Sequence, residues 1–234
     1  AWGRSMQLAD ASLDLNEAFY AEEWERVVAA QGVHSLDDYR KISRVGRKSI
    51  LTRAKRDKIW PVFEEYRGQL SSRGLKDVDD AYRDAADLLS QAGGDLLYAS
   101  IVVDETQDFG PQALRLIRAM VPSGVNDLFF VGDGHQRIYA KHQAVLGRCG
   151  IDIRGRSRKL YLNYRTTDEI RRQAVALLEG CEVDDLDDGH DETKRYKSLS
   201  HGPVPSLVTA DGIEAAAVQV IGFVKSFHEK CGRT

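Results

Sequence analysis

Ile101-Val102-Val103-Asp104-Glu105-Thr106-Gln107-Asp108 is the stretch whose reading decides the fold. An unbroken apolar run that stops at two adjacent carboxylates reads as a buried parallel strand, because a strand covered on both faces loses the two-residue alternation. Open α/β sheets bind ligands outside the carboxyl ends of their strands, which is where Asp104 and Glu105 stand. Two further apolar runs follow, Leu128 to Val131 and Leu160 to Leu162, spaced widely enough for helical crossovers. Pro111 suits a first helical position, with Leu114, Ile117, Met120 and Val121 as its apolar stripe. Thr166 and Glu169 have capping-box spacing ahead of Ile170, Ala174, Leu177 and Leu178. Strands alternating with helices predict an α/β fold, a parallel sheet flanked by helices.

Upstream the texture differs. Leu15, Phe19, Val27 and Val28 fit an amphipathic helix broken at Gly32, and Thr52 suits the cap of a helix carrying Ile59, Trp60, Phe63, Tyr66 and Leu70. Pro61 either kinks that helix or marks a restart, and Gly74 ends it. Ala81, Tyr82, Ala85, Leu88 and Leu89 trace another before Gly93-Gly94, so residues 1–94 read as all-helical. Residues 95–180 hold the α/β part. Beyond an acidic loop, Ser206 to Thr209 reads as a strand, and Ile213, Ala217, Val220, Ile221 and Val224 as a helix face, so 181–234 opens a second α/β unit.

With 42% hydrophobic residues the chain can bury a real core, and no run approaches the ~20 apolar residues that span a bilayer. Without a secretory leader, a cytoplasmic address and no membrane partner are expected. Cys149, Cys181 and Cys231 form no CxxC pair and are expected as free thiols. The net charge of −3 conceals segregation. Residues 40–58 carry Arg40, Lys41, Arg44, Arg47, Lys48, Arg53, Lys55, Arg56 and Lys58 against Asp57 alone, either a phosphate-binding stripe or a solvated helical face. Residues 182–192 are acidic around His190, a metal site or, more simply, an exposed loop. Ser43 to Ser49 is not a phosphate loop, because Arg47 interrupts the Gly-Lys-Ser triplet and Lys41 occupies the place of the required glycine.

Each predicted strand ends in polar residues: Asp104-Glu105, then Gly132-Asp133-Gly134-His135-Gln136, then Asn163-Tyr164-Arg165. On one edge of a parallel sheet the three could converge. Phosphoryl transfer to water needs a metal, a positioned water and groups that neutralise charge on the transferred phosphoryl. Asp104 can hold Mg²⁺, Glu105 can orient or deprotonate water, Gln136 can sense a γ-phosphate and Arg165 can neutralise developing charge. The alternatives are acids that cap the next helix or sit in solvent, and Tyr139 and Tyr164 as core aromatics. A nuclease would instead need Asp104, Glu105, Asp108 and Asp133 to converge on metal.

Val103 to Asp108, Val131 to Tyr139 and Leu162 to Thr167 resemble motifs II, III and IV of UvrD/Rep-type superfamily 1 DNA helicases in order, spacing and strand context. More weakly, the basic 44–58 stretch, Ile59-Trp60-Pro61-Val62-Phe63 and Gly74 to Asp80 resemble the helical subdomain inserted in that family's first motor domain. The likeness covers most of residues 14–180. It implies a partial P-loop NTPase (RecA-like) sheet, with ATP and Mg²⁺ as cofactors and single-stranded DNA or DNA junctions as partners. It implies Asp104 at the metal, Glu105 as catalytic base, Gln136 and Arg165 on the γ-phosphate, Tyr164 stacked on adenine and Tyr139 on the DNA path. Arg44, Arg47 and Lys48 would contact DNA phosphates.

The sequence departs from that pattern. Where family members continue motif III with Gly-Trp-Arg-Gly, this chain reads Ala140-Lys141-His142-Gln143, leaving His142 as the substitute for a base-stacking residue. Stacking of that kind is worth about 1–3 kcal/mol per base. The chain has no Walker A lysine, so the 234 residues are expected neither to bind ATP tightly nor to hydrolyse it alone. The reading is a central fragment of an ATP-dependent DNA helicase or translocase. The alternative is a non-hydrolysing nucleic-acid or protein binding module derived from the same fold.

Overall fold

The computed structural model describes residues 1–44, 47, 50–92, 98–137, 144–178, 180 and 196–231. They form two compact units, Ala1–Arg158 and the described part of residues 159–231.

The first unit opens with α1 (Trp2–Ser5) and two 3₁₀ turns, followed by α2 (Glu17–Glu23), which winds into a π-helical segment, Trp24–Ala29. Asn16 Oδ1 accepts from Phe19 N at 2.9 Å and starts α2 at Glu17. Gly32 ends the segment at φ +66°, and a Cβ there would lie 2.8 Å from Gln112 Nε2. Glycine is required at Gly32 both by the left-handed backbone and by that close approach. Next come α3 (Leu36–Lys41), α4 (Arg53–Ser72) and α5 (Val78–Ala92). Thr52 Oγ1 accepts from Lys55 N and caps α4, which runs through Pro61 as one helix. At its other end Leu75 N bonds Leu70 O at 2.9 Å and Gly74 N bonds Ser71 O at 3.0 Å, a Schellman stop with Gly74 at φ +67°.

The core of this helical part packs Trp24, Tyr39, Ile59, Trp60 and Phe63, all essentially inaccessible to solvent. Each such side chain contributes about 1.5–3 kcal/mol by leaving water. The stripe predicted for α5 is partly wrong, because Ala81, Tyr82 and Leu88 are exposed. The buried apolar position is Ala86, and α5 is clamped to α4 by Arg67, which donates to both oxygens of the buried Asp80 at 3.0 and 3.1 Å.

The α/β part of the unit comprises β1 (Ile101–Val103), α6 (Pro111–Ala119) and β2 (Leu128–Phe130). β1 and β2 are parallel, with Ile101 opposite Leu128 and Val103 opposite Phe130. α6 begins with Pro111 and packs against α5. Leu114, Leu146, Cys149 and Ile151 make a second core under Leu128 and Phe130. Only one face of the pair is covered, for Val102 and Phe129 are exposed, contrary to the expectation of helices on both faces.

The second unit contains β3 (Leu162–Asn163), α7 (Asp168–Ala176), β4 (Lys197–Ser198) and α8 (Ile213–Cys231). β3 pairs in parallel with β4, not with β1 or β2, so among the described residues the structure holds two small parallel sheets in place of one. Thr167, not Thr166, caps α7 by accepting from Ile170 N, because Thr166 Oγ1 is taken by Asn163 Nδ2 at 2.7 Å. Glu169 does not close a capping box. It accepts from Gly202 N and pairs with His201, contacts that pull its carboxyl down to about 2. Ser206 to Thr209 forms no strand. Ile170 of α7, Leu177 at its C-terminal cap, and Ile213, Val220, Ile221 and Val224 of α8, expected to be buried, are exposed. Among the described residues no helix is long and apolar enough to cross a membrane.

Candidate functional site

The carboxyl ends of β1 and β2 lie side by side. Val131 N donates to Val103 O at 2.8 Å, and Thr106 N returns a bond to Val131 O at 2.9 Å. These bonds carry the ladder past the strands and hold the two polar turns together. After Val103 the chain bends sharply, with Glu105 in the left-handed region at φ +51°. For a residue with a Cβ that conformation costs free energy and persists only where neighbours impose it. Asp104 Oδ1 accepts from Glu105 N at 2.9 Å, and a 3₁₀ turn, Thr106–Asp108, follows at once. Both Asp104 and Glu105 are exposed.

Gln107, only 2% exposed, links the turns. Its Nε2 donates to Glu105 Oε2 at 2.6 Å, and its Oε1 accepts from Asp133 N at 2.9 Å. Asp133 then organises the second turn. Its Oδ1 accepts from His135 N at 3.0 Å and its Oδ2 from Gln136 Nε2 at 2.8 Å. Asp104, Glu105 and Gln136 are therefore joined through one hydrogen-bonded assembly. The motif residues alone do not mark Gln107 for this role; its two-residue offset from Glu105 is the signal the sequence offers.

The third polar end belongs to the second unit. Asn163 Oδ1 accepts from Arg165 N at 2.9 Å and Thr166 N at 3.2 Å, shaping a turn that leaves Tyr164 and Arg165 exposed. Tyr164 is no core aromatic. The predicted convergence of three ends on one sheet edge thus reduces, within one sheet, to two.

Arg44 and Arg47 correct the basic stripe. Their side chains are 6% and 7% exposed. Arg44 forks the buried carboxylate of Glu23 through Nε at 2.6 Å and Nη2 at 2.7 Å, and Arg47 adds Nε at 3.1 Å and a second pairing with Glu22. The guanidiniums expected on DNA phosphates are spent inside the fold. Among the described residues the exposed cations of the stripe are Lys41, Arg53, Lys55 and Lys58, the last bound to Asp10. Lys48, Tyr139 and His142, and the acidic loop 182–192, lie outside the described residues. Cys149 is a free thiol whose pKa is raised by burial.

The family model of the UvrD/REP helicase N-terminal domain matches residues 10–148, more than half of the chain. The chain belongs to the UvrD/REP helicase family. No curated protein matches it. The matched span of this UvrD/REP family chain takes in the helical part from Asp10 onward, β1, β2 and both linked turns. Dependence on ATP and Mg²⁺ is general in such helicases, and the donor set fits it. Mg²⁺ favours one or two carboxylates together with water and substrate phosphates over an all-protein cage. Asp104 is exposed with Oδ2 free of hydrogen bonds among the described residues. There, no cluster of three acids, histidines or cysteines is placed to hold an ion.

Proposed function

We propose that this chain supplies the metal and water side of the ATPase site of a DNA helicase or translocase that steps along single-stranded DNA. The observation that carries the reading is the assembly Glu105–Gln107–Asp133–Gln136 at the ends of paired parallel strands. In this reading Asp104 holds Mg²⁺, which screens the phosphate charge when bound. Glu105 takes a proton from the attacking water, Gln136 and Arg165 contact the γ-phosphate, and Tyr164 stacks on adenine. Residues 1–94 are the accessory helical part, 95–180 part of the first motor domain, and 181–234 an acidic loop and the start of the second. DNA contact falls to Lys41, Arg53 and Lys55, with Tyr139 and His142 assigned to the single-strand path.

The chain lacks a Gly-x-x-x-x-Gly-Lys-Ser/Thr loop, so alone it is expected to show no DNA-stimulated ATP turnover. The test is turnover by the polypeptide of the complete reading frame, with and without single-stranded DNA. Glu105→Gln should lower kcat by about 10²–10⁴-fold while DNA binding survives, as removal of a general base does. Full activity in that variant would refute the assignment. DNA binding without turnover in the unsubstituted polypeptide would favour a non-hydrolysing binding module.

A further inference from the structure

We infer that Gln107 is a positioning residue that fixes the Glu105 carboxylate to the Asp133 turn, an inference that rests on the ATPase reading of the site. The geometry allows one arrangement of its amide. An ionised carboxylate only accepts and a backbone N–H only donates, so Nε2 must face Glu105 and Oε1 must face Asp133. Both ends of a side chain that is 2% exposed are therefore committed. Arg137 Nε reaches the Gln107 carbonyl at 3.4 Å and steadies its backbone from the same turn.

Gly132 makes this approach possible. A Cβ there would lie 2.8 Å from Gln107 Oε1, 3.1 Å from Thr106 N and 3.2 Å from Gln107 N. The glycine at the end of β2 thus lets the Gln107 amide pass close to the second turn.

The consequence concerns Glu105. A surface glutamate samples many rotamers, and holding one in place costs side-chain entropy at the moment of reaction. With Oε2 held by Gln107, Glu105 Oε1 makes no hydrogen bond among the described residues and is left to meet a water. The chain of bonds continues from Asp133 Oδ2 to Gln136 Nε2, so displacement of Gln136 is passed to Glu105 through Asp133 and Gln107. Gln107 touches no reacting atom in this scheme.

Two variants separate its halves. Gln107→Met keeps the shape and removes both bonds, whereas Gln107→Glu keeps an acceptor for Asp133 N and removes the donor to Glu105. In the 234-residue chain, amide hydrogen exchange at Asp133 should accelerate on the order of tenfold in Gln107→Met and stay near the parent value in Gln107→Glu. In the polypeptide of the complete reading frame both variants should lower kcat by roughly tenfold or more, with KM for ATP unchanged. A merely structural residue would not lose turnover in Gln107→Glu while Asp133 stays protected. Unchanged exchange in Gln107→Met, or full kcat in either variant, overturns the inference. If Gln107→Met does not fold, turnover in Gln107→Glu decides. If the unsubstituted polypeptide does not hydrolyse ATP, the ATPase reading fails, and exchange at Asp133 still decides whether Gln107 holds the turn.

Discussion

Arg44→Met should unfold the helical part of the molecule far more readily while leaving nucleic-acid binding intact. Glu23 is fully buried, and its carboxylate accepts from Arg44 Nε at 2.6 Å, Arg44 Nη2 at 2.7 Å, Arg47 Nε at 3.1 Å and Tyr39 OH at 3.0 Å. The substitution keeps the aliphatic stem of Arg44 but deletes the two shortest of these bonds and one of the two positive charges on Glu23. Removing one partner of a buried ion pair costs about 3–5 kcal/mol, because the remaining charge is stranded in a poorly polarisable site. Arg47 and Tyr39 remain, so the low end, about 3 kcal/mol, is expected. Against a domain stability of about 5–15 kcal/mol that is a large fraction. Urea unfolding followed by the fluorescence of the buried Trp24 and Trp60 reads it. With a urea dependence of about 2–3 kcal/mol/M the midpoint should fall by roughly 1–1.5 M. Lys41→Met, on the exposed stripe, should move the midpoint by less than about 0.3 M, since surface substitutions mostly stay within 0.5 kcal/mol. An Arg44→Met midpoint no lower than that of Lys41→Met, accompanied by lost DNA affinity, would refute the buried-pair account and restore Arg44 to the phosphate stripe.

Burial is the largest influence on Asp80 and acts to raise its pKa, but the bonds and charges of Arg67 and Arg83 outweigh it and hold the carboxyl below its usual value. Its contribution is therefore complete above the unfolded value near ~3.9 and is lost as pH falls through the lower folded value. Asp80→Asn should accordingly shrink the difference between urea midpoints measured at pH 6 and pH 3, and an unchanged difference would remove Asp80 from the acid response. Gly132→Ala forces a Cβ against Gln107 Oε1 and the Thr106 amide, and should lower stability by about 1–3 kcal/mol in thermal unfolding while speeding exchange at Asp133. Thr167→Ala removes the cap on Ile170 N and should cost the second unit about 1 kcal/mol, read from the helical circular dichroism of its unfolding.

What the sequence revealed was local. Thr52, Gly74 and Pro111 act on residues within one turn, so their roles could be read without knowing the fold. The end of β1 was legible for the same reason, as an apolar run halted by Asp104 and Glu105. The basic stripe was not, because a run of arginines looks alike whether solvated or paired. The partners of Arg44 and Arg47, Glu22 and Glu23, lie 21 to 25 residues away along the chain. Thr166 and Thr167 can each cap a helix beginning nearby, and the amide of Asn163 decides between them. β4 has no apolar signal at all, consisting of Lys197 and Ser198, whereas Ser206 to Thr209 has strand-like composition but no ladder among the described residues. Strand formation depends on a neighbour, and a propensity for pleated surfaces does not supply one.

The same distinction explains what the site adds to its motif. Asp104 and Glu105 are adjacent in sequence, and in an extended strand adjacent side chains point to opposite faces. The left-handed turn at Glu105 ends that alternation. It is stabilised from three sides: Asp104 Oδ1 on the Glu105 amide, Thr106 Oγ1 on Val131 O at 2.8 Å, and Gln107 on the Glu105 carboxylate. Asp104 thus holds the backbone of its neighbour through Oδ1, while its Oδ2 makes no hydrogen bond among the described residues. In the proposed reading, Mg²⁺ held by Asp104 would take its other ligands from water and substrate phosphates, as this ion favours. In that reading Asp104, whose Oδ1 also accepts from the Glu105 amide, would link the metal site to the placement of the base through a single side chain.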